Sequence, residues 1–170
     1  MLDKFKFYEI EGKINFALGH LDKATTAYET LLQYNSANWD TYKRLLECKG
    51  VNIEKEALSD EDQAKVYETM NYYRERLPRV NAHLRVGLKY LSGGKFVEYL
   101  RLYVKPLLIK GAPSVMTDLK EFYVDVTKRQ QIQDLLEGWL SNMRSEMVLD
   151  TDEEVEQDPT VMVWLLYFLS

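Results

Sequence analysis

Apolar residues recur at intervals of three and four positions along almost the whole chain, and no stretch sustains a strict apolar–polar alternation. This is the period of an α-helix with one buried face, whereas a half-buried β-strand requires a period of two. Only 4 prolines and 8 glycines interrupt the 170 residues, and good helix formers are plentiful. The sequence therefore predicts an all-α protein of about nine helices.

Residues that favour helix ends divide the first half of the chain. Gly19 separates the first two helices, and the Asn-Ser-Ala-Asn run at 35–38 closes the second. The stretch 59–62, "SDED", resembles a capping box, in which a serine side chain caps the helix that follows. That helix should end near Arg76, because Pro78 restricts the backbone just ahead of it.

Similar signals divide the second half. "SGG" at 92–94 and "KGAPS" at 110–114 predict helix ends, and Thr127 with Gln130 predicts another capping box. "DPT" at 158–160 places an N-cap residue before a proline at the first helical position. These signals predict short connections between helices throughout.

The sequence is similar to itself at an offset of 75 residues, which superposes Gly12 on Gly87 and Gly19 on Gly94. This offset corresponds to two units of about 37 residues, close to the period of tetratricopeptide repeats. The sequence therefore predicts tetratricopeptide-like helical-hairpin repeats that form part of an α-solenoid.

Each repeated position has a physical role in such a hairpin. Small residues let paired helices approach closely, glycine adopts a positive φ at a tight turn, and large aromatic residues fill the seam to the next unit. The predicted structural positions are Gly12 and Gly87 for close approach, Gly19 and Gly94 for turns, Ala24 for helix packing, Tyr28 and Tyr103 for the seam, and Phe96, which superposes on Leu21.

Residues 1–170 are predicted to form a single helical-repeat segment. The final stretch, "TVMVWLLYFLS", is apolar on every side, and large exposed apolar side chains are costly. Because terminal repeats normally have a polar outer face, we expect a longer solenoid or another molecule to cover this end. The approximate units are 1–36, 37–77, 78–112 and 113–149, followed by an acidic loop at 150–158 and the start of the next repeat at 159–170.

The net charge of −5 is unevenly distributed. Residues 74–110 carry a net charge of +7 and the rest of the chain −12, with six acids and no base at 150–158. Separated charge is typical of a protein with a charged partner, although solvated helix faces produce similar counts. The candidate partner- or phosphate-binding residues are Arg79, Arg85, Lys89, Lys95, Arg101 and Lys105.

Catalytic and metal-binding patterns are absent from the sequence. His20 and His83 are the only histidines, and each is interpreted as structural, at a turn or a helix start. The single Cys48 forms no internal disulfide and no cysteine-based zinc site. Val155 and Val161 stand where a calcium loop needs glycine and glutamate. The sequence predicts no catalytic, cofactor-binding or metal-binding residue, and no small-molecule substrate.

Neither end of the chain predicts targeting to a membrane. The N-terminus lacks the apolar core of a signal peptide, and the longest apolar run, 161–169, is too short to span a bilayer. The sequence also lacks a dinucleotide-binding or Walker glycine loop and the glycine signature that binds coenzyme A in acetyltransferases. We therefore predict a cytoplasmic protein without enzymatic activity.

Several stretches resemble, in order and spacing, a middle part of the large auxiliary subunit of N-terminal acetyltransferase A (NatA). "LSGGKF" followed by "KGAPS" is the most specific feature, because generic tetratricopeptide repeats lack it. The resemblance covers essentially the whole chain but only a fraction of that family's length. The stretches that carry it are 12–45, 90–96, 110–123 and 159–169.

This resemblance implies a helical-repeat scaffold that wraps a separate catalytic acetyltransferase subunit. Such a scaffold shapes the active site of its partner and docks the complex on the ribosome near the exit of the nascent chain. Acetyl-CoA would bind to the partner subunit, in agreement with the absence of a catalytic pattern here.

Two alternatives remain open at the level of sequence. The basic region 74–110 could contact RNA or the ribosome, with its arginines and lysines pairing with phosphates. Alternatively, the chain could be a free-standing tetratricopeptide adaptor for peptide termini.

Overall fold

The computed structural model of the chain describes residues 3–55, 57–110 and 112–149. Over these residues all regular structure is helical, which confirms the all-α prediction. The acidic loop predicted at 150–158 and the repeat start predicted at 159–170 lie outside the described residues. Within the described part of the chain, none of the helices combines the length and apolar composition needed to cross a membrane.

The helices fall into two compact units, Met1–Leu91 and Ser92–Ser170. The boundaries that the sequence predicts for the individual repeats stay predictions. The first unit contains α1 (Lys4–Ala17), α2 (Leu21–Tyr34), α3 (Trp39–Cys48), α4 (Asp60–Arg76) and α5 (Ala82–Tyr90), and the second contains α6 (Gly93–Ile109), α7 (Ser114–Lys120), a 3-10 turn (Glu121–Val124) and α8 (Val126–Leu149).

Helices α1 and α2 form an antiparallel hairpin. Residues 18–20 connect them, and Gly19 turns the chain with a φ of +75°. Gly12 is buried against the ring of Tyr28, and the rings of Tyr8 and Tyr34 stack with centroids 6.0 Å apart. This is the close approach that the sequence analysis predicts for a glycine in α1, and Ala24 is fully buried in the facing helix.

An aromatic cluster joins the remaining helices of the first unit. Tyr42 of α3 is fully buried, with its ring centroid 5.5 Å from that of Tyr73 in α4 and 6.2 Å from that of His83 in α5. The Tyr73 hydroxyl donates a hydrogen bond of 2.9 Å to the Glu29 carboxylate of α2. Four helices thus meet around two tyrosine rings.

His83 lies in this cluster with 1% of its surface exposed. Burial, together with the nearby charge of Arg74, lowers the pKa of the imidazole to about 4. Its Nδ1 atom has no hydrogen-bond partner among the described residues. This histidine is therefore a neutral core residue at physiological pH.

The second unit packs α6 against α7 and α8. Phe96 and Tyr103 of α6 are buried, as is Gly87 in α5 of the first unit. The Tyr103 hydroxyl donates to the carboxylate of Asp118 at 2.5 Å. The Lys128 ammonium of α8 lies 4.9 Å from the ring centroid of Phe96, and burial lowers the pKa of this lysine.

The turn glycine of α6 is one residue earlier than predicted. The positive φ, +57°, belongs to Gly93, whereas Gly94 lies within the helix. An offset of 75 residues from Leu21 would start α6 at residue 96, but the helix starts three residues earlier. Because α6 is longer at its N-terminus than predicted, Gly94 lies inside the helix, and the preceding residue, Gly93, adopts the left-handed conformation.

Two predicted helix starts have different outcomes. The Ser59 side chain accepts a hydrogen bond of 3.2 Å from the Asp62 amide, which confirms the cap of α4. The cap predicted at Thr127 is wrong: the Asp125 carboxylate caps α8 by accepting from the amides of residues 127 and 128 at 2.9 and 3.1 Å. An aspartate two residues earlier already satisfies these free N–H groups.

Candidate functional site

The six basic residues that the sequence analysis singles out are divided between the two units. Arg79 is exposed in the loop between α4 and α5, and Arg101 and Lys105 are exposed on α6. Lys95 is half-buried near the start of α6. The remaining two, Arg85 and Lys89 of α5, share an indole ring as a neighbour.

Arg85 and Lys89 approach Trp39, which begins α3. Their cationic groups lie 5.8 Å from the indole centroid, and the Lys43 ammonium lies 3.8 Å from it. The indole is 38% exposed. We call these four residues the Trp39 cluster, a surface on which three cations surround one aromatic ring.

Helical spacing explains how the cluster forms. Lys43 follows Trp39 by four residues on α3, and Lys89 follows Arg85 by four residues on α5, so each pair lies on one helix face. The Asn38 side chain caps α3 by accepting from the Asp40 amide at 3.1 Å, which places the indole in the first turn.

The electrostatics of the Trp39 cluster suit an anionic ligand. Each cation within about 6 Å of an aromatic centroid gains about 0.5–1 kcal/mol at an exposed site. Lys43 also pairs with the Asp40 carboxylate at 3.0 Å. The three cationic groups lie near one ring, and cations grouped in this way can bind carboxylates or phosphates.

Trp39 is the residue that the sequence analysis missed. Its spacing of four residues to Lys43 is visible in the sequence, but such a spacing is common on solvated helices. The contact with α5 brings together residues 46 and 50 positions apart in the chain, and no local pattern indicates it.

Two of the surface cavities in the described part of the first unit are lined mainly by side chains of α1 to α4. One, of about 240 Å³, lies among α1, α2 and α3 and includes the charged groups of Glu9, Lys13 and Arg44. The other, of about 220 Å³, lies between α2 and α4. Leu32, Leu77 and two tyrosines give the second cavity an apolar lining.

The described part of the chain shows neither a group of side chains suited to a metal ion nor an exposed cysteine. No group of three or more histidine, cysteine, aspartate or glutamate side chains there could hold a metal ion. Cys48 is a buried free thiol, and burial raises its pKa, which keeps the sulfur protonated and unreactive.

The chain is similar to known proteins over essentially its whole length. A sequence model of the family described as "N-terminal acetyltransferase A, auxiliary subunit" matches residues 1–170. "N-alpha-acetyltransferase 16, NatA auxiliary subunit" of Mus musculus is 28% identical over 169 residues, which are 99% of this chain and 18% of that protein. "N-terminal acetyltransferase A complex auxiliary subunit NAA15" of Arabidopsis thaliana is 28% identical over 173 residues, 100% of this chain and 19% of that protein.

A solved structure described as "Structure of Naa15/Naa10 bound to HypK-THB" contains a chain with a TM-score of 0.79 and 26% identity. The match covers 99% of this chain and 23% of that chain. It confirms the predicted fold class of tetratricopeptide-like helical hairpins belonging to an α-solenoid. The chain spans about a fifth of the length of the curated relatives it matches.

Proposed function

Because the chain belongs to the family of NatA auxiliary subunits, as its sequence resemblance predicts, we propose that it is a non-catalytic scaffold segment that binds a catalytic acetyltransferase subunit. The family match over residues 1–170 carries this proposal. In it, acetyl transfer and acetyl-CoA belong to the partner, and this chain supplies a surface of packed helices.

The related solved structure supports the choice of partner. It is a structure of Naa15/Naa10 bound to HypK-THB, so a helical-repeat protein similar to this chain is found in a complex of several polypeptides. The proposal extends this arrangement to the present chain. Its setting is the cytoplasm, next to ribosomes from which nascent chains emerge, and the family resemblance supports that setting.

We assign the partner contact in the first unit to the Trp39 cluster. Arg85 and Lys89 are both among the candidate binding residues, and their charged groups lie 5.8 Å from the same indole centroid. Several positive charges on one surface complement the carboxylates of a partner. Arg79, Lys95, Arg101 and Lys105 remain candidates on their own surfaces.

Co-purification tests the proposal. The chain is co-expressed with the tagged catalytic acetyltransferase subunit of the same organism, and retention on the tag is measured after gel filtration. We expect a stable complex that elutes earlier than either protein alone. No retention of the folded chain would contradict the scaffold function.

A matched pair of variants then tests the assigned contact. Arg85→Glu with Lys89→Glu should weaken retention at least about tenfold, because charges of the wrong sign then face the partner. Lys4→Glu with Lys6→Glu makes the same change in net charge on exposed residues of α1 and should leave retention unchanged. Equal losses in both variants would attribute the effect to net charge alone.

The RNA-contacting alternative stays a prediction. The Lys43 ammonium covers one face of the indole, which leaves less room for a stacked base than a bare ring would. If the chain binds a single-stranded RNA oligonucleotide, its affinity must fall steeply as the salt concentration rises. A flat salt dependence would remove this alternative.

A further inference from the structure

The cavity between α2 and α4 is a groove lined by apolar, aromatic and charged side chains that have no role in the proposed function. One wall is formed by α2 through Glu29, Leu32 and Gln33, which are three and four residues apart and share a helix face. The other wall is formed by Tyr72, Tyr73 and Arg76 of α4, with Leu77 directly after the end of this helix. The cavity, of about 220 Å³, has room for one large apolar side chain.

The interior of the groove is apolar, and buried side chains form its base. Leu32 and Tyr73 are buried at the base, and Leu77 is half-buried beside them. The Tyr72 ring is 42% exposed, so it contributes an aromatic edge accessible to a ligand. Filling the groove with an aliphatic or aromatic side chain would remove apolar surface of both molecules from water.

A cation is held at the mouth of this groove. The Arg76 guanidinium lies 3.6 Å from the centroid of the Tyr72 ring, which is a stacking distance. Among the described residues, the Arg76 guanidinium contacts the Tyr72 ring and forms no ion pair with a carboxylate. A stacked arginine keeps its N–H groups in one plane, ready to bind a carboxylate with two parallel hydrogen bonds.

Glu29 distinguishes between the possible ligands. Its carboxylate accepts the Tyr73 hydroxyl at 2.9 Å and retains further lone pairs toward the groove. A peptide backbone offers N–H donors to these lone pairs, whereas the phosphodiester groups of a nucleic acid have only acceptor oxygens and no donor. The combination of apolar base, arginine and glutamate therefore fits a peptide.

We propose that the groove between α2 and α4 is a docking site for a partner-protein segment that carries a large apolar side chain followed by an acidic residue. The apolar side chain fills the groove, and the acidic side chain pairs with Arg76. This site goes beyond the scaffold function and does not depend on it, because it involves neither the Trp39 cluster nor the catalytic subunit.

A peptide titration of the full chain tests the proposal. The probe is a capped hexapeptide with leucine at positions two and five and aspartate and glutamate between them. One comparison peptide replaces the two acids by asparagine and glutamine, and another replaces both leucines by alanine. Binding is followed by the shifts of backbone amide signals in nuclear magnetic resonance spectra of the isotope-labelled chain.

We expect the acidic leucine peptide to shift the amides of residues 29–33 and 72–77, and both comparison peptides to bind at least about tenfold more weakly. Arg76→Gln should remove the preference for the acidic peptide over its amide counterpart. Lys65→Gln is the matched control, because Lys65 lies on the same helix and pairs with Glu61 at 2.9 Å. It should preserve that preference.

Three results would overturn the docking site. One is an acidic peptide that shifts residues elsewhere or nowhere, and another is a preference for acids that survives in the folded Arg76→Gln variant. The third is a single-stranded RNA oligonucleotide that shifts the groove residues more strongly than the peptide does. Each can occur while the chain still co-purifies with a catalytic subunit, so failure here is separate from failure of the scaffold function.

Discussion

Gly12 sets the distance between the first two helices. A Cβ atom built on this glycine would lie 2.5 Å from Cε1 of Tyr28, well inside van der Waals contact. The Tyr28 ring is only 2% exposed, so it has little room to move away. The absence of a side chain at one residue therefore allows the hairpin to close.

Gly12→Ala should lower the free energy of unfolding by about 1–3 kcal/mol, because the added methyl group forces the two helices apart. Urea denaturation followed by circular dichroism measures this loss. Gly138→Ala is the control, since the added Cβ meets nothing within 4 Å on α8. That change should raise stability by about 0.5–1 kcal/mol through helix propensity. Equal effects at both sites would contradict the close-approach role.

The start of a helix depends on which nearby side chain accepts hydrogen bonds from its free backbone N–H groups. Ser59 caps α4 as the local sequence predicts. At α8 the sequence offers two candidates close together, Asp125 and Thr127, and the structure uses the aspartate. The 3-10 turn that precedes α8 brings the chain to Asp125 in an extended conformation, which suits an N-cap residue.

Asp125→Ala should lower the stability of the second unit by about 1 kcal/mol, since two amide hydrogens then lose their acceptor. Thr127→Ala, which removes the side chain that the sequence pattern favours, should cost only a few tenths of a kcal/mol. Thermal unfolding of both variants, compared with the unchanged chain, distinguishes them. A larger loss for the threonine variant would show that the cap is assigned to the wrong residue.

The stability of the molecule should depend on pH through His83. The folded state holds the pKa of this imidazole at about 4, below the ordinary value of 6.5. Below pH 6.5 the unfolded chain binds a proton that the folded chain does not, so acid favours unfolding. The contribution of His83 to the free energy of unfolding is fully present above pH 6.5. It is lost as the pH falls toward 4, and the total loss is about 3 kcal/mol.

Urea denaturation at pH 7, 5.5 and 4.5 measures this slope. His83→Phe should flatten the part of the slope between pH 6.5 and 4.5, whatever its effect on stability at pH 7. His20→Phe, at the exposed start of α2, should keep the slope of the unchanged chain. An identical slope in the His83 variant would mean that carboxylates alone account for acid unfolding.

Local chemistry made most of the architecture predictable. The helical period, Gly19 at the first turn, the Ser59 cap and the end of α4 at Arg76 all depend on residues close together in the chain. Family membership was predictable for the same reason, because it is recorded in contiguous stretches such as "LSGGKF". The turn at Gly93 shows the limit of this local prediction. The repeat offset predicts the turn at Gly94, but α6 starts three residues earlier than the offset implies, so the turn lies at Gly93.

The binding surfaces arise instead from contacts across the folded chain. Glu29 and Tyr73 are 44 residues apart, and Trp39 meets a helix that starts at Ala82. Amino-acid order specifies which face of each helix is apolar, but the neighbour of that face depends on how the helices pack. The period of a helix is a local property of the backbone, whereas a groove or a ring of cations exists only where two helices stand side by side.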